Sequence, residues 1–129
     1  MSTSRTWSFT LTGPAFSANH RLHWAERNRR TQEWRETAGW TARQKRIPHL
    51  NHARIDVEWI AANRHNRDAG NAYPAAKAIV DGICLDAGVL DDDDSSRLDG
   101  PVMTVVPLGG QKPGRGRWAL NVIVTEVPA

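Results

Sequence analysis

The sequence predicts an α+β domain: one mixed β-sheet with two main helices, in the order β-α-β-α-β-β. Three observations predict it. Four stretches rich in β-branched and aromatic residues, "TWSFTLTG", "ARIDVEWIAA", "LDGPVMTVVPL" and "RWALNVIVTEV", read as strands. Two segments between them repeat apolar residues at helical spacing. The chain has 129 residues, of which 40% are hydrophobic, which suits one domain over 1–129 with one modest core.

The elements follow in order. Trp7 to Thr12 alternates and runs into Gly13-Pro14, a strand ended by turn residues. "AFSANHRLHWAERNRR" is polar and irregular, so it reads as a loop leading to a helix. From Thr31 to Arg46 helix formers dominate, with Trp34, Ala38 and Ala42 spaced by four, and Pro48 stops the run. Ile55, Val57 and Trp59 alternate with polar neighbours in a half-buried strand. After the turn "NRHNRDAGN", a second helix is expected from Ala72 to Ala87. Pro74 fits its first turn, where a missing N–H costs nothing, and Gly88 fits the C′ position. Its apolar stripe is Ala76, Ile79 or Val80, Ile83 and Ala87. "VLDDDDSSRLDG" is a loop. The third strand is expected to be interrupted at Pro101. "GGQKPGRG" connects it to a final strand that alternates well.

Composition excludes some classes. No apolar run approaches the roughly 20 residues needed to span a bilayer, and "MSTSRTWSF" lacks the apolar core of a signal peptide. A single cysteine, Cys84, rules out an internal disulfide. A cytoplasmic protein without a membrane partner is the expectation. Net charge is only +3, but it is unevenly spread. Residues 21–46 carry Arg21, Arg27, Arg29, Arg30, Arg35, Arg43, Lys45 and Arg46 against three acids. Residues 81–99 carry seven aspartates against Arg97. A basic half suits a nucleic-acid backbone, and an acidic cluster suits a divalent cation. Together they suggest metal-dependent chemistry on phosphates. A basic helix beside a solvated acidic turn accounts for the same charges.

Several residues are candidates for that chemistry. Asp68 follows the second strand, at the edge of an α/β sheet where sites are usually built. Asp91 to Asp94 lie after the second helix. Should that loop return to the edge of Asp68, carboxylates from two loops would make a Mg²⁺ site. Lys77, in the first or second turn of its helix, fits two roles: facing a phosphate at the helix N-terminus, or pairing with Asp81 at i+4. The five histidines show neither HExxH nor zinc spacing. His65 fits a phosphate contact, and the others read as surface. The six tryptophans read mostly as core or helix anchors. For Trp24, burial is the expectation and stacking on an unpaired base the alternative. Cys84 has no histidine partner and does not read as a nucleophile.

The order of these features carries a resemblance. A strand, then "RDAGN", then "PAAKAIVDGICLDAGVLDDDDS" resembles the RusA-type Holliday junction resolvases, particularly phage and prophage members. "FSANHRLHWAERNRR" is similar to that family's Ser-x-Asn-x-Arg loop. The resemblance covers roughly residues 7 to 125 and is most specific from Asp68 to Ser95. It implies a homodimeric, Mg²⁺-dependent endonuclease (Mn²⁺ also serving) that resolves four-way DNA junctions by paired nicks. By position, it implies Asp68 as a metal ligand, Asn71 as the turn asparagine, and Lys77 as the catalytic lysine. Asp81 matches the aspartate on the same helix. Asp93 matches the downstream metal aspartate, with Asp92 and Asp94 adjacent to it. The basic loop and helix, with Asn19, Arg21, Arg27, Arg29, Arg30 and Arg67, would hold DNA.

One position departs. Gly70 stands where the family has the second aspartate of its turn. Two readings follow: Asp91 to Asp94 supply the missing ligand, or the protein binds junctions without cutting them.

Overall fold

The computed structural model describes residues 4–19, 21–61, 68–91, 96–107 and 113–128. Its strands are β1 (Thr6–Pro14), β2 (Ala53–Ala61), β3 (Leu98–Pro107) and β4 (Arg117–Glu126). Its main helices are α1 (Trp24–Gln44) and α2 (Tyr73–Asp81). A 3₁₀ turn, Ala69–Ala72, leads into α2, and a π-turn, Gly82–Asp86, continues it. The order is β-α-β-α-β-β. The four strands form one mixed sheet in the order β1-β4-β2-β3. β4 runs antiparallel to both β1 and β2, while β2 and β3 are parallel and joined through α2.

Period-two patterning decides which face is covered. Ala53, Ile55, Val57 and Trp59 of β2 are buried with Phe9 and Leu11 of β1 and Leu120, Val122 and Val124 of β4. Trp34, Ala38 and Ala42 of α1 and Ala76, Ile79 and Ile83 after β2 join the same core. The opposite face carries a polar row. Thr10 Oγ1 donates to Asn121 Oδ1 at 3.4 Å, and Asn121 Nδ2 donates to Glu58 Oε1 at 2.6 Å. Such cross-strand pairs secure register where no helix covers the sheet. Among the described residues, no helix is long and apolar enough to cross a membrane.

Three boundaries differ from expectation, each for a local reason. α1 begins at Trp24, a full seven positions before Thr31. His23 caps it, its Nδ1 accepting from Ala25 N at 3.2 Å. The added turns lack an apolar stripe. They are held instead by Glu26, which pairs with Arg29 at 2.6 Å and Arg30 at 2.8 Å, the i+3 and i+4 neighbours. The second helical segment is not one uniform helix over Ala72–Ala87, because it opens as 3₁₀ and closes as π. Gly88 does follow it in the left-handed region, at φ 73°. β3 runs on past Pro101 as an edge strand, while its pairing with β2 breaks there, Asp99 facing Arg54 and Val102 facing Asp56 with Gly100 and Pro101 unpaired in the register. Its register shifts opposite Arg54 and Asp56. Gly100 sits there at φ 121°, and a Cβ on it would stand 2.5 Å from Ile55 O.

The widening into the π-turn starts where α2 meets α1. Gly82 lies against the α1 backbone, so that a Cβ there would collide with Arg35 O and stand 3.0 Å from Gly39 N. Both partners are backbone and cannot swing aside. Gly82→Ala is therefore expected to destabilise the fold by about 3 kcal/mol, the upper end of ordinary overpacking. Urea denaturation would measure it, and a midpoint equal to wild type would refute the contact.

Candidate functional site

β1 and β2 both run opposite to β4, so their C-terminal ends share one edge of the sheet. The loop after β1, the turn after β2 and the N-termini of both helices gather there. Each piece is tied down. Trp34 Nε1 donates to Pro14 O at 2.8 Å, and Arg30 Nη1 donates to Ala15 O at 2.6 Å. The same Glu26 that stabilises the first turns of α1 thus orients the guanidinium gripping the loop.

The loop then docks on the "RDAGN" turn. Ala18 N donates to Asn71 O at 2.8 Å, and Asn19 Nδ2 donates to Asn71 Oδ1 at 3.2 Å. Asp68 shapes the turn from within. Its Oδ1 accepts from Gly70 N at 2.9 Å, and its carbonyl accepts from Asn71 N at 2.9 Å. This is an Asx-type turn, in which a side chain mimics a backbone acceptor. Gly70 does not occupy the left-handed region. A Cβ on it would lie 3.4 Å from Asp68 Oδ1, an ordinary contact. The backbone therefore does not require glycine at that position.

Beside the turn, a cleft of about 250 Å³ opens between the N-terminal part of α1 and the length of α2. Phe16, Arg27, Tyr73, Lys77 and Asp81 line it. Lys77 Nζ lies 3.1 Å from Asp81 Oδ1, the i+4 contact that was one of its two expected roles. The Arg27 guanidinium stands 5.4 Å from the Phe16 ring centroid, a cation–π distance. Arg27 has no carboxylate partner among the described residues. Arg29 is engaged by Glu26 and Glu33, and Arg30 by Glu26 and Ala15 O, so both act first as braces of this edge.

The expected residues thus divide. Asp68, Gly70, Asn71 and Asn19 form one network, while Arg27, Lys77 and Asp81 line one cleft. Arg21 is exposed in the same loop. Arg67, His65, Asp92, Asp93 and Asp94 lie outside the described residues. Asp91, the described residue of the acidic run, is placed apart from Asp68. It contacts His49 at 2.9 Å and Arg97 at 3.7 Å, while Ala53 N, at the start of β2, donates to Arg97 O at 2.9 Å. The acidic run is therefore flanked by residues at the far edge of the sheet. The helical stretch from Tyr73 to Asp86, at 1.5 Å per residue, puts about 20 Å between the two edges. α2 carries the chain away from Asp68, and the parallel pairing of β2 with β3 requires it to do so. Among the described residues, no three His, Cys, Asp or Glu side chains stand close enough to hold a metal ion. Asp68 is the one described member of the expected metal set, so these residues alone do not furnish a Mg²⁺ shell.

Two aromatic residues gain a place here. Trp24 is 70% exposed, against the expected burial, and Tyr73, which pattern reading passed over, is 49% exposed. Both open a helix at this edge, and an aromatic at a helix start beside basic residues was the available signal. A comparison with protein-family models finds no match, nor does a comparison with curated proteins.

The Glu26 carboxyl is pulled down to about 2, first by its hydrogen bond to Arg29 and then by that to Arg30. A depressed carboxylate contributes stability that is complete above its unfolded value, near 4.5, and is lost as pH falls towards 2. The melting-temperature gap between wild type and Glu26→Gln should therefore stay constant from about pH 7 to 5 and shrink below about pH 4.5. A gap unchanged down to pH 2 would exclude the ion pairs as its source.

Proposed function

We propose that this protein is a RusA-like, metal-dependent endonuclease acting on four-way DNA junctions. One observation carries the reading. The loop containing Ser17, Asn19 and Arg21 is hydrogen-bonded onto the Asp68–Asn71 turn, at the mouth of a cleft containing Lys77. The sequence segments that resemble the family are thus neighbours in space, although about fifty positions separate them in the chain.

In this reading, Arg21 and Arg27 receive backbone phosphates. Asn19 and Asn71 fix the turn, which aims Asp68 at the edge. Lys77, held in place by Asp81, stabilises negative charge developing on the phosphate or the leaving oxygen. A bound Mg²⁺ or Mn²⁺ would neutralise the scissile phosphate and lower the pKa of a water. The remaining carboxylates of its shell fall to Asp92, Asp93 and Asp94. Asp91, the described residue that opens this run, stands at the far edge, and we propose that the shell combines Asp68 of one copy with the run of a second copy. A two-fold dimer would then cut a two-fold junction symmetrically.

The assay is nicking of a synthetic four-way junction in Mg²⁺. Asp68→Asn, and separately Asp92, Asp93 and Asp94 all changed to Asn, are expected to abolish nicking. Mixing the two inactive variants should restore part of it, since one mixed site keeps both carboxylate sources. Nicking that persists in excess EDTA would sink the metal-dependent reading.

Gly70 favours a second reading, that of a protein which binds junctions without cutting them. Space beside Asp68 admits a side chain at position 70, so Gly70→Asp should fold normally. In a turn lacking one metal ligand, the change is expected to raise the nicking rate by up to 10²–10³. Repulsion between the two carboxylates would be relieved by the cation. If the acidic run already completes the shell, the rate should stay level or fall. A Mg²⁺ titration of both proteins separates these outcomes, and gain of nicking from an inactive parent would establish a disabled turn.

A further inference from the structure

We infer that the cleft between the N-terminal part of α1 and α2 is a binding site for a single unpaired nucleobase, stacked on Tyr73 with Trp24 beside it on the same edge. The inference rests on the nucleic-acid reading above and names what that edge selects: DNA with a base out of its stack.

Position on the helices comes first. Arg27 and Thr31 line the cleft, and Trp24 lies three residues before Arg27. Residues spaced by three and four share one helix face, so Trp24 continues the same stripe outward. On α2, Tyr73, Lys77 and Asp81 repeat the i+4 spacing along the opposing wall. Of the four large apolar side chains exposed on the described surface, Tyr73 lines this opening, and Trp24 lies one turn before Arg27 on the same helix, its ring 5.5 Å from that of His23. A scatter of single exposed apolar groups is ordinary, whereas two aromatics on one basic edge are not.

Chemistry comes next. Aromatic faces beside cations are the combination that holds unpaired bases, because every base offers a π-face and carries a phosphate. Phe16 is buried and forms the floor, with Arg27 lying over its ring. Arg27 has no carboxylate partner among the described residues, so its charge is available to a phosphate or a base face.

Size and contrast narrow the ligand. A volume of about 250 Å³ is below that of sites for drug-sized molecules and suits one ring system. A larger groove of about 660 Å³ lies beside Trp40, which is also exposed. Its cations are occupied: Arg35 is paired with Asp86 at 2.7 Å, and Arg43 donates to Asp86 O at 2.6 Å. The smaller cleft is the one that combines exposed rings with an uncommitted guanidinium.

The test uses the full chain and two probes: a thymidine oligonucleotide containing one 2-aminopurine, and a four-way junction with 2-aminopurine at the strand exchange. Stacking on Tyr73 and Trp24 should quench the fluorescence of each. Trp24→Ala and Tyr73→Ala are expected to lose the quench and to weaken single-strand binding about five- to hundredfold. Trp24→Phe should retain both. Both aromatics are exposed, so unchanged melting temperatures would show the variants folded. Wild type that nicks the junction but leaves 2-aminopurine unquenched would overturn the inference and leave the endonuclease reading standing. Alanine variants that quench and bind like wild type would do the same. Wild type that binds neither probe at low salt would overturn both.

Discussion

The contact on which the rest of this structure depends is the close approach of α2 to α1 at Gly82. Backbone meets backbone there, against Arg35 and Gly39. The cleft lies along the same pair of helices, lined by Arg27 and Thr31 of α1 and by Tyr73, Lys77 and Asp81 of α2, the last of them next to Gly82. Beyond Gly82, Arg35 and Arg43 of α1 hold Asp86 of the π-turn. The Arg35 hydrogen bond holds the Asp86 carboxyl below its ordinary value, as a charge-assisted pair should. The helix pair that lines the candidate cleft is thus held together by a backbone contact directly beyond Asp81.

The edge that carries the candidate site has a different problem, because the loop after β1 and the turn after β2 must be held against one another. Polar contacts replace packing there. Arg30 and Trp34 on successive turns of α1 take the carbonyls of Ala15 and Pro14. Asn71 takes the amide of Ala18 on its carbonyl and Asn19 on its side chain. Fixed loops on a rigid scaffold are what a site needs if its groups are to be preorganised. Asn19, Asn71 and Arg30, expected as DNA contacts, also serve as fixings of this platform.

Much of the fold was readable from the sequence, because period-two and period-four patterns report burial directly. Ile55, Val57 and Trp59, and Trp34, Ala38 and Ala42, all point into the core. The start of α1 was not readable that way. Its first turns bury no stripe and rest on Glu26, a local electrostatic device without apolar periodicity. The continuity of β3 through Pro101 was hidden as well, because edge position is a property of the sheet and not of the segment. For the site, the grouping of Asp68, Asn71 and Asn19 followed from motif order. The placement of Asp91 did not, since the direction of α2 follows from the parallel pairing of β2 with β3. Trp24 misled because its residue type favours burial, while its place ahead of an amphipathic stripe leaves it outside.

The charge pattern changes meaning once the pairs are known. The basic segment from Arg21 to Arg46 suggests a broad electrostatic surface for a polyanion. In the fold, Arg29, Arg30, Arg35 and Arg43 each hold an acidic side chain or a backbone carbonyl of the same chain. An arginine fixed to a carboxylate contributes little net field at a distance of a Debye length. Arg21 and Arg27 remain at the candidate edge. Among the described residues of this edge, Arg21 and Arg27 are the arginines without a carboxylate partner, so on the proposed reading counterion release contributes less there than composition suggests. On that proposed reading, discrimination at this edge comes from shape and stacking in the cleft and at its aromatic residues more than from attraction to phosphate.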